Sequence, residues 1–346
     1  MIIRCVLVFI FLVGCKTHQK KLNNNYMFED IYAANFSCRA ITFDAHNVWF
    51  ALNNSKYAVY NLSSKEISIE SIDTDTLKVE FRSIASTKDN IFLLSVSNPA
   101  LLYKIDKKLK SSELVYKEVN EKVFYDSMFF KDHTTGFALG DPITDCFSLI
   151  FTKDSGNSWT KLSCENLPKT YDNEAAFAAS NSNLIIKDNV IFMVSGGARA
   201  RIFVSKDLGN SWNVYETPIV QGGAMKGIFT CDFYDESNGI IAGGDYEKPQ
   251  QNFKNKAITN NGGKTWQLVS DNSGFGYASC VKYFPNSKGK KLLCVGATGV
   301  YYSYDKGSSW QKISDQKDYY TIMFINSYTA FIAGKNKISK ITFNNN

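Results

Sequence analysis

Short apolar stretches, each closed by glycine or a polar cluster, recur through most of the chain, and no long stretch repeats apolar residues at helical spacing. The lengths and the β-branched and aromatic content predict strands. The region around Cys231 shows the unit: 228–233, 239–243, 255–259 and 266–269 read as four successive strands. The opening pair of runs recurs upstream, with Arg39 leading Ala-Ile-Thr-Phe, Arg82 leading Ser-Ile-Ala-Ser, and Asp126 leading Ser-Met-Phe-Phe. Glu174, Phe229, Ala278 and Tyr320 take the matching place in the four later units. Regular repetition of a four-strand unit predicts an all-β chain, a β-propeller of seven blades. The last unit shows three runs (320–325, 329–333 and 338–343), and an orphan run begins at Met27. The orphan is expected to pair as the missing strand, closing an edge that would otherwise invite aggregation.

Four segments share the form S/T-x-D/N-x-G-x-S/T-W. They carry Asp154, Gly156 and Trp159; Asp207, Gly209 and Trp212; Asn261, Gly263 and Trp266; and Asp305, Gly307 and Trp310. This resembles the Asp-box, or BNR repeat, of sialidases and other propellers. The Asp or Asn oxygen accepts from backbone N–H groups in a tight turn, glycine supplies the backbone freedom, and tryptophan packs across the hairpin. The expected role is structural, a staple between two strands.

The amino terminus reads differently. Arg4 precedes an apolar run, 6–13, too short to span a bilayer as a helix, and Leu12-Val13-Gly14-Cys15 matches the bacterial lipobox. The alternative is an ordinary secretory signal with a coincidental cysteine. The expected organisation is a signal peptide (1–14), a polar tether from acylated Cys15 to residue 26, and a propeller from 27 to 346, lipid-anchored at a bacterial cell envelope. An exported chain can form disulfides. Six cysteines lie in the propeller, and their spacing fits neither a zinc site nor a CxxC motif. Buried thiols or a Cys146–Cys164 or Cys280–Cys294 bridge are the open readings.

The chain's 346 residues are 44% hydrophobic, enough for a full core, and the net charge of +6 is scattered, so no nucleic-acid partner is expected. Three histidines, no cofactor fingerprint and no EF-hand pattern lead to an expectation of no metal and no cofactor. The remaining candidates are positional. The first strand of each blade lines a propeller's channel, so Arg39, Arg82, Asp126, Glu174 and Tyr320, with Tyr277 beside them, form a candidate ring at its mouth. Arg39–Glu174 and Arg82–Asp126 are read either as structural ion pairs or as a site for a carboxylate or peptide terminus. Asp141, Arg199, Arg201, Lys226, Asp245, Tyr246 and Lys248 sit in glycine- and proline-rich loops that could present them to a partner.

The order of Gly140-Asp-Pro, Glu174-Ala-Ala-Phe-Ala-Ala-Ser, Gly196-Gly-Ala with Arg201, and Gly243-Gly-Asp-Tyr-Glu-Lys-Pro, interleaved with Asp-boxes, resembles the bacterial relatives of the photosystem II assembly and stability factor. The resemblance covers roughly 33–343. It implies a seven-bladed propeller that binds a membrane-protein precursor through an arginine-bearing face, here Arg39, Arg82, Arg199 and Arg201. Such relatives often carry the label oxidoreductase, which no motif in this chain supports. The expected function is therefore a non-enzymatic, monomeric binding or assembly factor for a protein or peptide. The alternatives are a redox enzyme or a sialidase-like hydrolase, the latter built on Arg39, Arg82 and Arg201 with Tyr125 or Tyr277 as nucleophile.

Overall fold

A computed structural model describes residues 21–23, 25–74 and 77–344. The expected signal peptide, Cys15 and the start of the tether lie outside the described residues. Within the expected tether, Lys21–Asn23 pairs antiparallel with the strand that begins at Tyr26. The described chain is all-β apart from a single 3-10 turn, Cys164–Asn166, and none of its helices could cross a membrane.

The strands form a β-propeller resolved as six hydrogen-bonded sheets, where the sequence expected seven blades. Four sheets have four antiparallel strands in chain order; one of these is Ala278–Tyr283, Leu292–Gly296, Gly299–Ser303 and Gln311–Ser314. A six-stranded sheet adds Glu174–Ala175 and Gly196–Gly197 to the four-strand unit that begins at Lys226–Phe233. The seven-stranded sheet holds both ends of the described chain. Its 18-residue strand Tyr26–Phe43 pairs with Thr329–Phe343 from Tyr26↔Phe343 to Ser37↔Lys335, then with Asn47–Leu52 from Cys38↔Leu52 to Phe43↔Val48. The expected pairing of the orphan run with the last strand is thus present.

Burial explains the sequence pattern. Middle strands are covered on both faces by neighbouring sheets, so Val190–Val194 is buried throughout and reads as a continuous apolar run. Fourth strands such as Thr160–Lys161 lie at the rim and are exposed. Between adjacent sheets the apolar side chains interlock, as where Trp49 and Tyr57 pack with Phe81, Ile84 and Leu93.

The four repeated turns share one hydrogen-bond design. In the first, Thr152 Oγ1 donates to Asp154 Oδ1 (2.7 Å) and accepts from Gly156 N (3.0 Å), while Ser158 donates through N and Oγ to the two carboxylate oxygens (3.0 and 2.6 Å). The turns at Asp207 and Asp305 repeat it, and Asn261 does so with its amide donating to Thr265. Trp212, Trp266 and Trp310 close their turns by donating Nε1 to the carbonyls of Gly209, Gly263 and Gly307. Trp159 differs: its buried Nε1 has no partner, and its ring packs edge-on against Phe92 and Phe130. Burial raises the Asp154 carboxyl, but the Ser158 and Thr152 bonds outweigh it and hold the group at about 2. Such a carboxylate stays ionised and is no general acid.

Cys146 and Cys164 form a disulfide with Cα atoms 5.6 Å apart, while Cys38, Cys231, Cys280 and Cys294 are buried thiols. Cys280 and Cys294 stand on neighbouring strands but one register step apart, opposite Val295 and Val281. Their side chains leave opposite faces of the sheet, which bars a bridge.

Deletion of residues 26–34 is expected to lower the melting temperature by about 10 °C or more, because it removes most of the pairing that joins the two ends and unseats Tyr26, Phe28 and Ile31 from their clusters. Scanning calorimetry measures this; an unchanged transition would show that the closure contributes nothing.

Candidate functional site

Six innermost strands carry a one-residue register shift near the start of their pairing with the following strand, between Cys38 and Ala40, Phe81 and Ser83, Tyr125 and Ser127, Ile228 and Thr230, Ala278 and Cys280, and Tyr319 and Thr321. The extra residue of a bulge is unpaired and its side chain is re-aimed. The bulged residues are Arg39, Arg82, Asp126, Phe229, Ser279 and Tyr320. Arg39, Arg82, Asp126 and Tyr320 therefore hold the equivalent positions the sequence expected, with Phe229 among them. Ser279 replaces Ala278, one residue away. Glu174 is not in the set: the strand that faces the axis in its unit is Leu184–Lys187.

Two of the bulged side chains, Arg39 and Tyr320, stack on each other across neighbouring strands. The Arg39 guanidinium stacks on the Tyr320 ring, 4.1 Å from its centroid, and donates to Ala179 O at 3.3 Å. Its Nε is buried without a partner. Arg82 does not form the expected pair with Asp126. It turns to Glu80, donating Nη2 to Oε2 at 3.0 Å, and its Nε lies 3.0 Å from Oε1 without hydrogen-bond alignment. Burial raises the Tyr320 hydroxyl, and both arginine charges oppose that rise. Tyr277, buried against Phe229 at 4.7 Å, also meets the ring of Tyr246 at 5.1 Å, and Tyr246 is 48% exposed. Arg39, Tyr246, Tyr277 and Tyr320 thus make one aromatic and cationic patch at the mouth.

Asp126 is fully buried, and neither carboxylate oxygen has a hydrogen-bond partner. Burial pushes its carboxyl well above the usual range, the charge of Asp141 adds to the rise, and Arg82 pulls the other way. Asp141, whose Oδ1 accepts from Ala176 N at 2.8 Å, is pushed up to about 7 by burial. Two opposed carboxyls in poor solvent cannot both ionise cheaply.

The segment after Glu174 closes the channel. Ala179 O accepts from Arg39 and from Ser279 Oγ, Ser180 Oγ donates to Ser279 O, and Ser180 O accepts from Thr321 Oγ1. Asn181 accepts from Met128 N at 2.8 Å and donates to Ile84 O at 2.9 Å, and Ser182 Oγ donates to Thr230 Oγ1 at 2.7 Å. Four consecutive residues thus touch six bulged strands, so the segment lies across the axis as a plug. Beyond it is a cavity of about 260 Å³ lined by Ile41, Ile84, Met128, Leu184 and Ile322, with Lys282 paired to Asp232 at 3.4 Å.

Glu174 anchors the plug. It accepts from Arg201 Nε and Nη2 (2.9 and 2.5 Å), Ser195 Oγ (2.6 Å) and Tyr171 N (2.9 Å). Arg201 gives a further bond to Lys169 O, so the expected Arg39–Glu174 pair is not formed. Phe177 stacks on Phe229 at 4.0 Å. The Gly196–Gly197 strand docks on Gly227, where a Cβ would lie 2.3 Å from Gly196 Cα; only glycine allows that approach.

The loop candidates divide. Asp245 is a buried turn cap, accepting from the N–H groups of Glu247 and Lys248 with Lys226 at 3.8 Å. Arg199 lies over the Tyr171 ring at 5.1 Å. Tyr246 and Lys248 are exposed. The geometry does not favour the hydrolase alternative. Arg201 is committed to Glu174, and Tyr125 is buried with its hydroxyl donating to Glu118 at 2.8 Å. Burial raises the Tyr125 hydroxyl, with Tyr116 and Glu118 adding to the rise, and burial also raises Tyr277, so neither is an activated nucleophile.

No family model matches the chain, and no curated protein matches it. Solved structures do. The chain is similar to YCF48 bound to D1 peptide, with a TM-score of 0.67 at 14% identity over 95% of this chain and 100% of that one. YCF48 from Cyanidioschyzon merolae gives 0.64 at 11% identity over 91% and 98%. A streptogramin B lyase gives 0.60 at 14% identity over 92% and 98%. At these identities the likeness shows a YCF48-like propeller fold, and a fold that also carries a lyase does not by itself decide chemistry.

The two raised carboxyls give a pH dependence of definite sign. A carboxyl whose folded value lies above its unfolded value favours the folded state at low pH, and that advantage is lost as pH rises through the folded value. Stability from this pair is expected to fall between about pH 4 and pH 7. Asp126→Asn should raise the unfolding free energy at pH 8 by about 1–3 kcal/mol and flatten the slope. Urea melts at pH 4.5 and pH 8 measure both; equal destabilisation at the two values would mean that the native state holds Asp126 ionised.

Proposed function

We propose that this chain is a lipid-anchored binding propeller of a bacterial cell envelope, tethered through acylated Cys15, that holds a protein or peptide partner at the mouth described above. The observation that carries the reading is the Arg39–Tyr320–Tyr246 patch: a cation stacked on one aromatic ring beside an exposed second ring, over a plugged channel. Arginine and tyrosine in this arrangement bind through planar hydrogen bonds and rigid apolar area, the chemistry of peptide recognition. The fold likeness to a propeller with a peptide bound supports it.

The propeller is read as seven blades. The strand Tyr26–Phe43 changes partner at Ser37–Cys38, so it closes one blade and opens the next. Between these halves, Phe36, Phe50 and Tyr60 pack with Phe331 and Ile338, as clusters pack between separate sheets elsewhere. The four repeated turns are read as Asp-boxes. The assembly acts as a monomer without cofactor, metal or nucleic acid, and Asp126 and Asp141 lend the mouth a second, titratable charge.

Arg39→Ala and Tyr320→Ala are expected to reduce the yield of a partner cross-linked to the tethered protein by about ten-fold each, the effect of losing a central anchor, with melting temperatures within a few degrees of the parent. Quantitative mass spectrometry of cross-linked membranes measures the yield. A partner retained at parental levels by both variants would remove the mouth as the binding surface.

A further inference from the structure

The opposite face of the propeller, at the far ends of the inner strands, carries a second surface. A groove of about 130 Å³ is lined by Tyr26, Phe284, Tyr302, Tyr328, Phe343 and Lys291. Its rings touch one another: Phe284 meets Phe343 at 4.7 Å, Tyr302 meets Phe343 at 5.7 Å, and Tyr302 continues to Tyr304 at 6.4 Å. Tyr304 is 62% exposed and Tyr328 43%. Lysines fringe the groove. The hairpin between Ala278–Tyr283 and Leu292–Gly296 holds Lys288, Lys290 and Lys291, Lys306 N bonds to Lys290 O, and Asn286 ties the hairpin to Ser327 beside Tyr328. None of these four lysines belongs to the ion pairs formed among the described residues.

We propose that this face docks onto an anionic lipid surface. Tyrosine settles at the level of lipid headgroups, phenylalanine buries its ring at the boundary with the acyl chains, and unpaired lysines are drawn to anionic lipid. Tyr26 lines the groove, and Lys21–Asn23 pairs alongside it. Cys15 stands six positions before Lys21, about 20 Å of extended chain. For this proximity the inference rests on the lipid-anchor reading; the charge and the rings stand apart from it. An acyl anchor and a basic aromatic face together are the two signals that stable attachment uses.

The test uses the full chain carrying Tyr304→Cys, or Lys248→Cys on the mouth side, each labelled with a polarity-sensitive dye. The labelled protein is mixed with vesicles of phosphatidylcholine alone or with phosphatidylglycerol, some doped with a membrane-embedded quencher. The expected result is a blue shift and quenching at position 304 in phosphatidylglycerol vesicles, with none at 248. Lys288→Glu and Lys290→Glu should each weaken the signal about five-fold, and 0.5 M salt should abolish it. Equal signals at the two positions, or none at 304, overturn the proposal whether or not the chain floats with the vesicles. Flotation that survives salt reports the anchor separately, so failure of the anchor and failure of the face are told apart.

Discussion

Ring closure by one continuous strand is the constraint from which the other features follow. The strand Tyr26–Phe43 is hydrogen-bonded to the carboxyl-terminal strand along its first part and to Asn47–Leu52 along its second. The pairing leaves no open edge at the seam, where unpaired N–H and C=O groups would template association. It also fixes Arg39, because the bulge that exposes this side chain lies just past the point where the strand changes partner. Arg39 can then meet Tyr320, which comes from nearly the other end of the sequence.

Closure alone would give an open channel. The segment from Glu174 to Ser182 converts that channel into a shallow mouth and a blind cavity. Its anchor is a buried bidentate ion pair whose acceptor atoms are all occupied, the condition under which such a pair holds a unique geometry rather than costing stability. The plug bonds to six strands at once, so it adds a central tie between sheets that also meet through side-chain packing and through bonds such as those of Lys282 and Tyr283 N to Asp232. Asp126 sits beside this construction with no hydrogen bond to its carboxylate, and the mouth consequently holds a carboxyl that resists ionisation, raised by burial and by Asp141 and opposed by the Arg82 cation.

Much of this was legible in the chain. Strands appeared because the middle strands are buried on both faces and so read as apolar runs, and the repeated turns appeared because their Asp, Gly and Trp positions each answer a separate geometric demand. Arg39, Arg82, Asp126 and Tyr320 were placed together because each opens a similar run. Glu174 was misplaced for a physical reason. The residues after it, rich in alanine and serine, do not alternate as a strand does, since they cross the axis rather than run along it. Ser279 was missed by one residue because a bulge shifts register without changing composition. The choice between bridges was hidden because it depends on strand register, which opposes Cys280 to Val295 instead of Cys294.

The directions of the strands connect the two surfaces. Each of the six bulged strands carries its bulge ahead of the segment that runs to a hairpin, so the bulged residues and a hairpin such as 284–291 lie at opposite ends of those segments. A propeller resting on its hairpin face must therefore turn Arg39, Tyr320 and Tyr246 away from the surface beneath it. A partner reaching the mouth would approach from the aqueous side, and the pair of buried Asp126 and half-buried Asp141 would face that compartment rather than the negative surface of a lipid layer. A carboxyl poised near 7 senses the local pH; an anionic surface would concentrate protons and raise its apparent value further. Separation by the length of a strand, beyond the screening distance of about 8 Å at physiological salt, leaves the mouth's charge set by its own residues and by bulk pH.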